Sequence, residues 1–230
     1  MNGVELATIG RELLDDPAAD PGAVRESLHN IARSNRWFGG RQAVRHGLTQ
    51  LCRGLPAGMT LTILDVGTGL GDLPLDAVRW GAGRGIRLVP FGLERSRAAA
   101  VLARDAGLPM ILGCAGALPI KHRSVDIVVL SQVAHHMHGD AVMRMARELT
   151  MVARVGVVLA DLRRSRLAMI GFWFGSRMLR FDPATRADGL TSVRRSYTRM
   201  ELKTLLSRAG IDANVEQRPG FRLVATWRSG

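Results

Sequence analysis

The sequence predicts an α/β chain, with an open, mostly parallel sheet, helices on both faces and an antiparallel hairpin at the end. Three observations predict it. The stretch Leu61 to Leu73, LTILDVGTGLGDL, runs an apolar segment into an acid, three glycines spaced by single residues and a helix start. Downstream, helix-like and strand-like runs alternate: a helix from Leu73, a strand at 86, a helix from Ser96, strands at 109 and 126, a helix from Asp140 and a strand at 155. Such alternation builds βαβ units and therefore parallel pairing. Finally, two strand-like runs around 213–217 and 221–227 are joined by Pro219-Gly220, a turn pair that suits a hairpin.

Taken in order, residues 3–54 read as helical. Asp20 can cap a helix with Pro21 in its first turn, and Val24, Leu28 and Ile31 then share a face. NRWFGG, Asn35 to Gly40, breaks that helix; Val44, Leu48 and Leu51 form a second stripe, closed by Gly54 and Pro56. Residues 1–55 are thus expected to form a helical cap over a cleft in the main domain, 56–230. Within that domain, Leu61, Ile63, Leu64 and Val66 suit a buried parallel strand. Val142, Met145, Ala146 and Leu149 make the apolar face of the Asp140 helix, with the methionines as core filler. Thr198 and Glu201 spell a capping box, Leu202, Leu205 and Leu206 a buried face, and Gly210 a stop.

The glycines carry the chemistry. Gly67, Gly69 and Gly71 permit positive φ and let a ligand approach the backbone. A dinucleotide turn reads GxGxxG and sets its pyrophosphate on a helix N-terminus, but here the spacing is GxGxG and Asp72 stands where the last glycine would be. A carboxylate there repels pyrophosphate and tolerates an amino group and a sulfonium, which points to S-adenosylmethionine (AdoMet) rather than a nicotinamide dinucleotide. At these residues the chain resembles the class I methyltransferases, whose fold is a Rossmann-like seven-stranded sheet. The resemblance implies that Asp65, Gly67, Thr68, Gly69, Gly71 and Asp72 surround the methionine part. Glu94, at the end of the strand IRLVPFGL and beside Arg95, would accept the ribose hydroxyls.

The stretch GCAGALPIKHRSVDIVVLSQVAHHM resembles the family's adenine loop and fourth strand. Family members commonly place an acid after the loop glycine. This chain has Cys114, a poor acceptor, which leaves the base to the backbone at Ala115 and to contact with Leu118. The strand DIVVLSQ delivers Ser131, Gln132, His135 and His136 to the carboxyl edge of the sheet, where ligands of open α/β sheets bind. Asp126 is read as fixing the strand entry. Of Arg33, Arg36 and Arg41, around the NRWFGG break, one can fork onto the methionine carboxylate, with Arg36 the expected one.

Composition bounds the partners. The chain has 230 residues, 47% hydrophobic, enough for a full core. Cys52 and Cys114 make neither a disulfide framework nor a metal spacing, and no signal-peptide pattern is visible, so a reducing cytoplasm is the expected compartment. The net charge of +12 could suit nucleic acid, but only Lys121 and Lys203 are lysines, the basic residues run along the whole chain and aromatics are sparse, so nucleic acid is disfavoured. The tract HHMH is not expected to hold a metal, because no carboxylate or cysteine joins it at ligand spacing.

Between the fifth strand and the capped helix lies an insertion at about 162–197. Its run LAMIGFWFGSRML, flanked by Arg163, Arg164, Arg166, Arg177 and Arg180, is too short to span a bilayer. Three readings stay open, a lid over an apolar acceptor, a homodimer face or an interfacial helix on anionic lipid, with the lid preferred.

LPIKHRSVDIVVLSQVAHHM resembles the ubiquinone and menaquinone biosynthesis type of small-molecule methyltransferase. NRWFGG, DLRRSRLA and SVRRSYTRMEL are similar to stretches of bacterial methyltransferases that accompany type III polyketide synthases. The resemblance implies methyl transfer from AdoMet, leaving S-adenosylhomocysteine, to a small apolar hydroxylated aromatic or polyketide-type acceptor. O-methylation is preferred, with His135 or His136 as base. The alternatives are C-methylation of a quinol-like ring, or a non-catalytic AdoMet-binding scaffold, which the missing acid at Cys114 motivates.

Overall fold

The computed structural model describes residues 12–16 and 18–230. Seven strands form one sheet in the order β3-β2-β1-β4-β5-β7-β6. These are β1 (Thr60–Val66), β2 (Arg87–Glu94), β3 (Met110–Leu112), β4 (Val125–Ser131), β5 (Ala153–Leu162), β6 (Asn214–Arg218) and β7 (Arg222–Arg228). The first five pair in parallel, and β7 runs antiparallel to both β5 and β6. The expected sheet, hairpin included, is therefore the observed one. The chain moves outward from β1 through β2 to β3 and returns to the other side of β1 with β4, so the strand order reverses between β1 and β4. Beyond that reversal, at the carboxyl ends, an open parallel sheet leaves a crevice.

Helices cover both faces: α1 (Pro21–Trp37), α2 (Gly40–Leu51), α3 (Asp72–Ala82), α4 (Arg97–Asp105), α5 (Asp140–Val152), α6 (Arg166–Met178), α7 (Pro183–Arg195) and α8 (Arg199–Arg208). Alternation along the strands sorts the core. Val128 and Leu130 face Met145 and Leu149 of α5 and Leu202 and Leu206 of α8. Ile127 and Val129 face Val44 and Leu48 of α2 and Ala77 and Trp80 of α3. Val24 and Leu28 of α1 join Ala99 of α4 in a smaller cluster.

Helix starts follow the caps in the sequence. Asp20 accepts from Ala23 N with Pro21 at N1, Ser96 from Ala99 N, and Thr198 with Glu201 closes a reciprocal capping box. The expectation of helix throughout 3–54 needs correcting. Among the described residues ahead of α1, Leu13–Asp15 form a 3-10 turn, Asp16 is extended and residues 18–20 are not helical, since Pro21 cannot continue a preceding helix. Residues 3–11 and 17 of that expectation lie outside the described residues.

The α1–α2 elbow is locked to the far hairpin by two facing glycines. Gly39 has φ +79° and a Cβ there would lie 2.6 Å from the Pro219 carbonyl oxygen; Gly220 has φ +75° and its Cβ would lie 2.3 Å from that of Phe38. Beside them, the buried Arg222 donates through Nε to the Phe38 carbonyl, 2.9 Å. The insertion folds as α6 and α7, each capped by its own sequence, Ser165 for α6 and Asp182 ahead of Pro183 for α7.

Candidate functional site

A cavity of about 430 Å³ opens at the strand reversal. Its floor is the glycine turn. Gly67, Gly69 and Gly71 all take positive φ, and Gly67 N and Thr68 N donate to the Leu93 carbonyl at the end of β2, 2.8 and 3.3 Å. A Cβ at Gly67 would stand 2.4 Å from Val133 Cγ2, so only glycine lets the turn meet the segment after β4.

Three acids surround this turn. Asp65 is fully buried; its Oδ2 accepts from Thr68 Oγ1 at 2.7 Å and its Oδ1 has no hydrogen-bond partner among the described residues. Burial, together with the charges of Asp72 and Glu94, pushes its pKa up to about 7. Asp72 is pushed up to about 6 by burial, against the amide of Asn35 and the charge of Arg41. The carboxylate of Glu94 ties the turn to the start of α4, accepting from Gly69 N at 3.1 Å and from Arg95 N and Ser96 N at 2.8 and 3.0 Å. Anions crowded at the end of a parallel sheet are costly without a cation.

The opposite wall comes from the end of β4. Ser131 is buried with its Oγ unpartnered among the described residues, and Gln132 sits at φ +57°, uncommon for a residue with a side chain. Gln132 Nε2 donates to Asn35 Oδ1 at 2.6 Å, while Asn35 Nδ2 donates to Asp72 at 3.4 Å, linking α1 to both walls. A 3-10 turn, Ala134–His136, follows.

The buried His135 bonds through Nδ1 to Asp161 Oδ1, 2.7 Å, and through its backbone N to Asp161 Oδ2, 3.0 Å. Asp161 is placed by register: Ser131 pairs with Ala160, so the next residue of β5 stands beside the turn after β4. Although burial opposes both charges, the contact holds the His135 pKa above the ordinary histidine value and that of Asp161 below the ordinary carboxylate range. His136 stacks on His135 with ring centroids 4.3 Å apart, and burial and the His135 charge push it down to about 4.

Facing the two imidazoles is the buried Glu12, with Oε1 3.9 Å from His135 Nε2 and Oε2 3.7 Å from His136 Nε2. Oε1 also accepts from Ser192 Oγ, 2.9 Å, and Arg195 Nη1, 3.4 Å, both on α7. The expectation that no carboxylate reaches the histidine tract is thus corrected: Glu12, His135 and His136 set ligand-type atoms within 4.8 Å of one another. Their spacing in sequence hid this, since 123 residues separate Glu12 from His135. Glu12 already has a guanidinium and a hydroxyl as partners, so the cluster is balanced by the chain's own groups. The 3-10 turn brings both His135 and His136 to the cavity wall.

Most of the predicted site residues meet here. Gly67, Thr68, Gly69, Asp72, Glu94, Arg95, Cys114, Ala115, Ser131, Gln132, His135 and His136 all line the cavity. Asp65 and Gly71 support the turn from behind. Leu118 is absent from the lining and packs against the core. Arg36 lies outside the cavity, exposed, its guanidinium 5.6 Å from the Trp37 ring. Arg33 donates to the Leu179 carbonyl, and Arg41 lies 3.8 Å from Asp72, so none of the three arginines lines the cavity. Asp126 accepts from Thr62 N and Oγ1, pinning the entry of β4 to β1.

The model of the methyltransferase-domain family Methyltransf_11 matches residues 64–160, from β1 to the end of β5. Residues 64–160 thus match a methyltransferase domain, and the chain has the Rossmann-like methyltransferase fold. Among solved structures, the methyltransferase fold recurs in a SAM-dependent methyltransferase from Aquifex aeolicus at 17% identity and TM-score 0.61, covering 92% of this chain and 99% of that one. Magnesium protoporphyrin IX methyltransferase (ChlM) from Synechocystis PCC 6803, with bound SAH, has 15% identity and TM-score 0.54, with 84% of each chain covered. The CMeT domain structure of the citrinin polyketide synthase has 13% identity and TM-score 0.58, covering 80% of this chain and 50% of that one. No curated protein matches the chain. AdoMet is the methyl donor of such methyltransferase domains, and the acids at the glycine turn suit it: the unpartnered Asp65 Oδ1 and the raised pKa values of Asp65 and Asp72 call for a cationic ligand.

Proposed function

We propose that this methyltransferase acts on a small, largely apolar hydroxylated aromatic or polyketide-derived acceptor and methylates oxygen. The His135–Asp161 pair carries the reading. His135 and the glycine turn line the same cavity, so a hydroxyl bound there has both a base and the methyl donor's site at its walls. Gly67, Thr68 and Gly69 are assigned to the methionine part with Asp72, Glu94 to the ribose, and Cys114 with Ala115 to the adenine. Asp65 acts from behind as the counter-charge. The assigned domains are a helical cap, 1–55, and the catalytic unit, 56–230.

When bound, AdoMet supplies a methyl group already activated on a sulfonium, so orientation rather than activation is what the chain must provide. Asp161 accepts the Nδ1 proton of His135 and leaves Nε2 as the proton acceptor. A phenol near pKa 10 gives up its proton more readily to a histidine raised above its ordinary value, and Asp161 stabilises the imidazolium that results. His136, kept neutral at pH 7, adds apolar stacking without a competing charge. Glu12 and Arg195 close the far side and limit water.

The same base serves a carbon acid, so C-methylation of a quinol-like ring is the second reading, favoured by the same pair. Turnover of phenols and quinols, read as S-adenosylhomocysteine release and as the site of the new methyl, tests both. His135→Gln should abolish turnover and leave AdoMet binding unchanged. Full turnover in that variant would reject the base, and no turnover by the wild type with any such acceptor would favour the scaffold reading.

A further inference from the structure

The first helix of the insertion presents a face that no described residue covers, and it is the opposite face from the one a lid over the cavity would use. α6 turns Ala168, Phe172 and Ser176 inward: the Phe172 ring stands edge-on to Phe38 at 6.2 Å and lies 6.5 Å from Phe181. From residues 162–197 only Ser192, on α7, reaches the cavity. The outer face carries Leu167, Ile170, Trp173, Phe174 and Met178, which are 66, 63, 48, 59 and 70% exposed. Their spacing sets them in one stripe of the helix. Trp37, equally exposed, ends α1 next to Phe38, whose ring would lie 2.5 Å from a Cβ at Gly175 of α6. Five large apolar side chains on one short exposed helix mark an interaction surface.

The charges around it indicate the occupant. Between Asp161 and Asp182 the sequence holds five arginines and no acid. Arg166, Arg177 and Arg180 are exposed, and the Arg177 guanidinium sits 3.8 Å over the Trp173 ring. Arg33 reaches the end of the helix through the Leu179 carbonyl. A second copy seated on this face would set arginine against arginine with no acid on α6 to answer it. We infer that α6 docks in the plane of an anionic lipid surface, its apolar stripe at the acyl boundary and its arginines at the phosphates. A helix of 13 residues is too short to cross a bilayer but long enough to lie on one. Tryptophan and arginine are the side chains suited to that interface, the first with an apolar ring and a polar edge, the second with a fork for phosphate.

The test is flotation of the full chain with vesicles of phosphatidylcholine alone, and of phosphatidylcholine with about one third phosphatidylglycerol. Binding to the mixture, at least tenfold weaker on phosphatidylcholine alone and falling with salt, is expected. Trp173→Glu with Phe174→Glu should abolish it, and Arg166→Glu with Arg177→Glu should weaken it about twentyfold or more, at roughly fivefold for each arginine near the surface. Lys203→Glu with Arg208→Glu, on α8, is the charge-matched control and should change binding less than the α6 pair does. AdoMet binding, read separately in every variant, reports that the fold is intact, and neither readout needs an acceptor. An equal loss in the α8 variant would reduce the effect to diffuse charge and overturn the assignment. So would absence of vesicle binding, whether the chain is then monomeric or forms a dimer that the Trp173 and Phe174 variant breaks.

Discussion

Replacing Asp65 by Asn should make the ligand-free protein more stable at pH 8 and a poorer binder of AdoMet. The carboxylate is fully buried, has one bonded oxygen and one without a partner, and titrates near 7 instead of the ordinary 3.8. A group whose folded pKa is raised stabilises the fold, relative to its charged form, below the unfolded value, and that contribution is lost as pH rises through the folded value. The loss therefore runs from about pH 4 to about pH 7 and is complete at pH 8. Converting the two pKa values gives a ceiling of about 4 kcal/mol, and about half of that is expected, since water entering the open cavity screens part of the charge. For a chain of this length about 2 kcal/mol is about 4–8 °C in melting temperature. Asn keeps the size and can still accept from Thr68 Oγ1 without carrying charge. Thermal melts of both proteins at pH 4, 6 and 8 should show curves that nearly coincide at pH 4 and separate upward in pH, with the variant higher. Calorimetric titration at pH 8 should show AdoMet bound about tenfold or more weakly, the loss of one charged partner. A variant less stable than the wild type at pH 8, or a gap that does not change with pH, would refute the reasoning.

Three further outcomes are expected. Asp161→Asn should lower turnover about a hundredfold or more with AdoMet affinity unchanged, and shift the acidic limb of the pH–rate profile to lower pH, because the carboxylate is what raises His135; an unshifted profile would assign Asp161 to structure alone. Glu94→Ala should weaken AdoMet about tenfold or more by calorimetry, and unchanged binding would remove Glu94 from the site. Gly220→Ala should cost about 2–4 kcal/mol in urea unfolding, from a side chain at φ +75° and a Cβ 2.3 Å from the Phe38 carbonyl; a loss under about 1 kcal/mol would mean that the elbow and hairpin shift apart freely.

What could be read in advance was what short-range pattern encodes. The glycine turn announced itself because an apolar run, an acid and alternate glycines are adjacent in sequence, and Thr198 with Glu201 named a helix start from three residues' spacing. The parallel sheet followed from alternation alone. Asp161 was missed as the partner of His135, although the last acid of the fifth strand was a usable signal: once β4 and β5 are neighbours, their carboxyl ends must meet. Glu12, Ser192 and Arg195 carried no such signal, since their meeting with the histidines depends on how α1 and α7 pack. Leu118 and Arg36 were placed by analogy of position, and the structure gives one to the core and the other to solvent. The purpose of the apolar run of α6 stayed open in sequence, because a stripe pattern tells which face is apolar and not which way that face points.

The glycine contact between the α1–α2 elbow and the last hairpin has a consequence for how the protein is made. Phe38 and Gly220 lie far apart in the sequence, so the elbow has no seat until the β6–β7 hairpin has been made. Until then α1 is held by Val24 and Leu28 against Ala99 of α4 and by the Asn35 bonds to Gln132 and Asp72, without the elbow's seat on the hairpin. A chain ending before residue 219 would keep every residue matched by the methyltransferase family and still lack the seat of its α1–α2 elbow. Seating of the elbow therefore waits for the β6–β7 hairpin during synthesis, and loop-closure entropy makes it a late event of refolding as well.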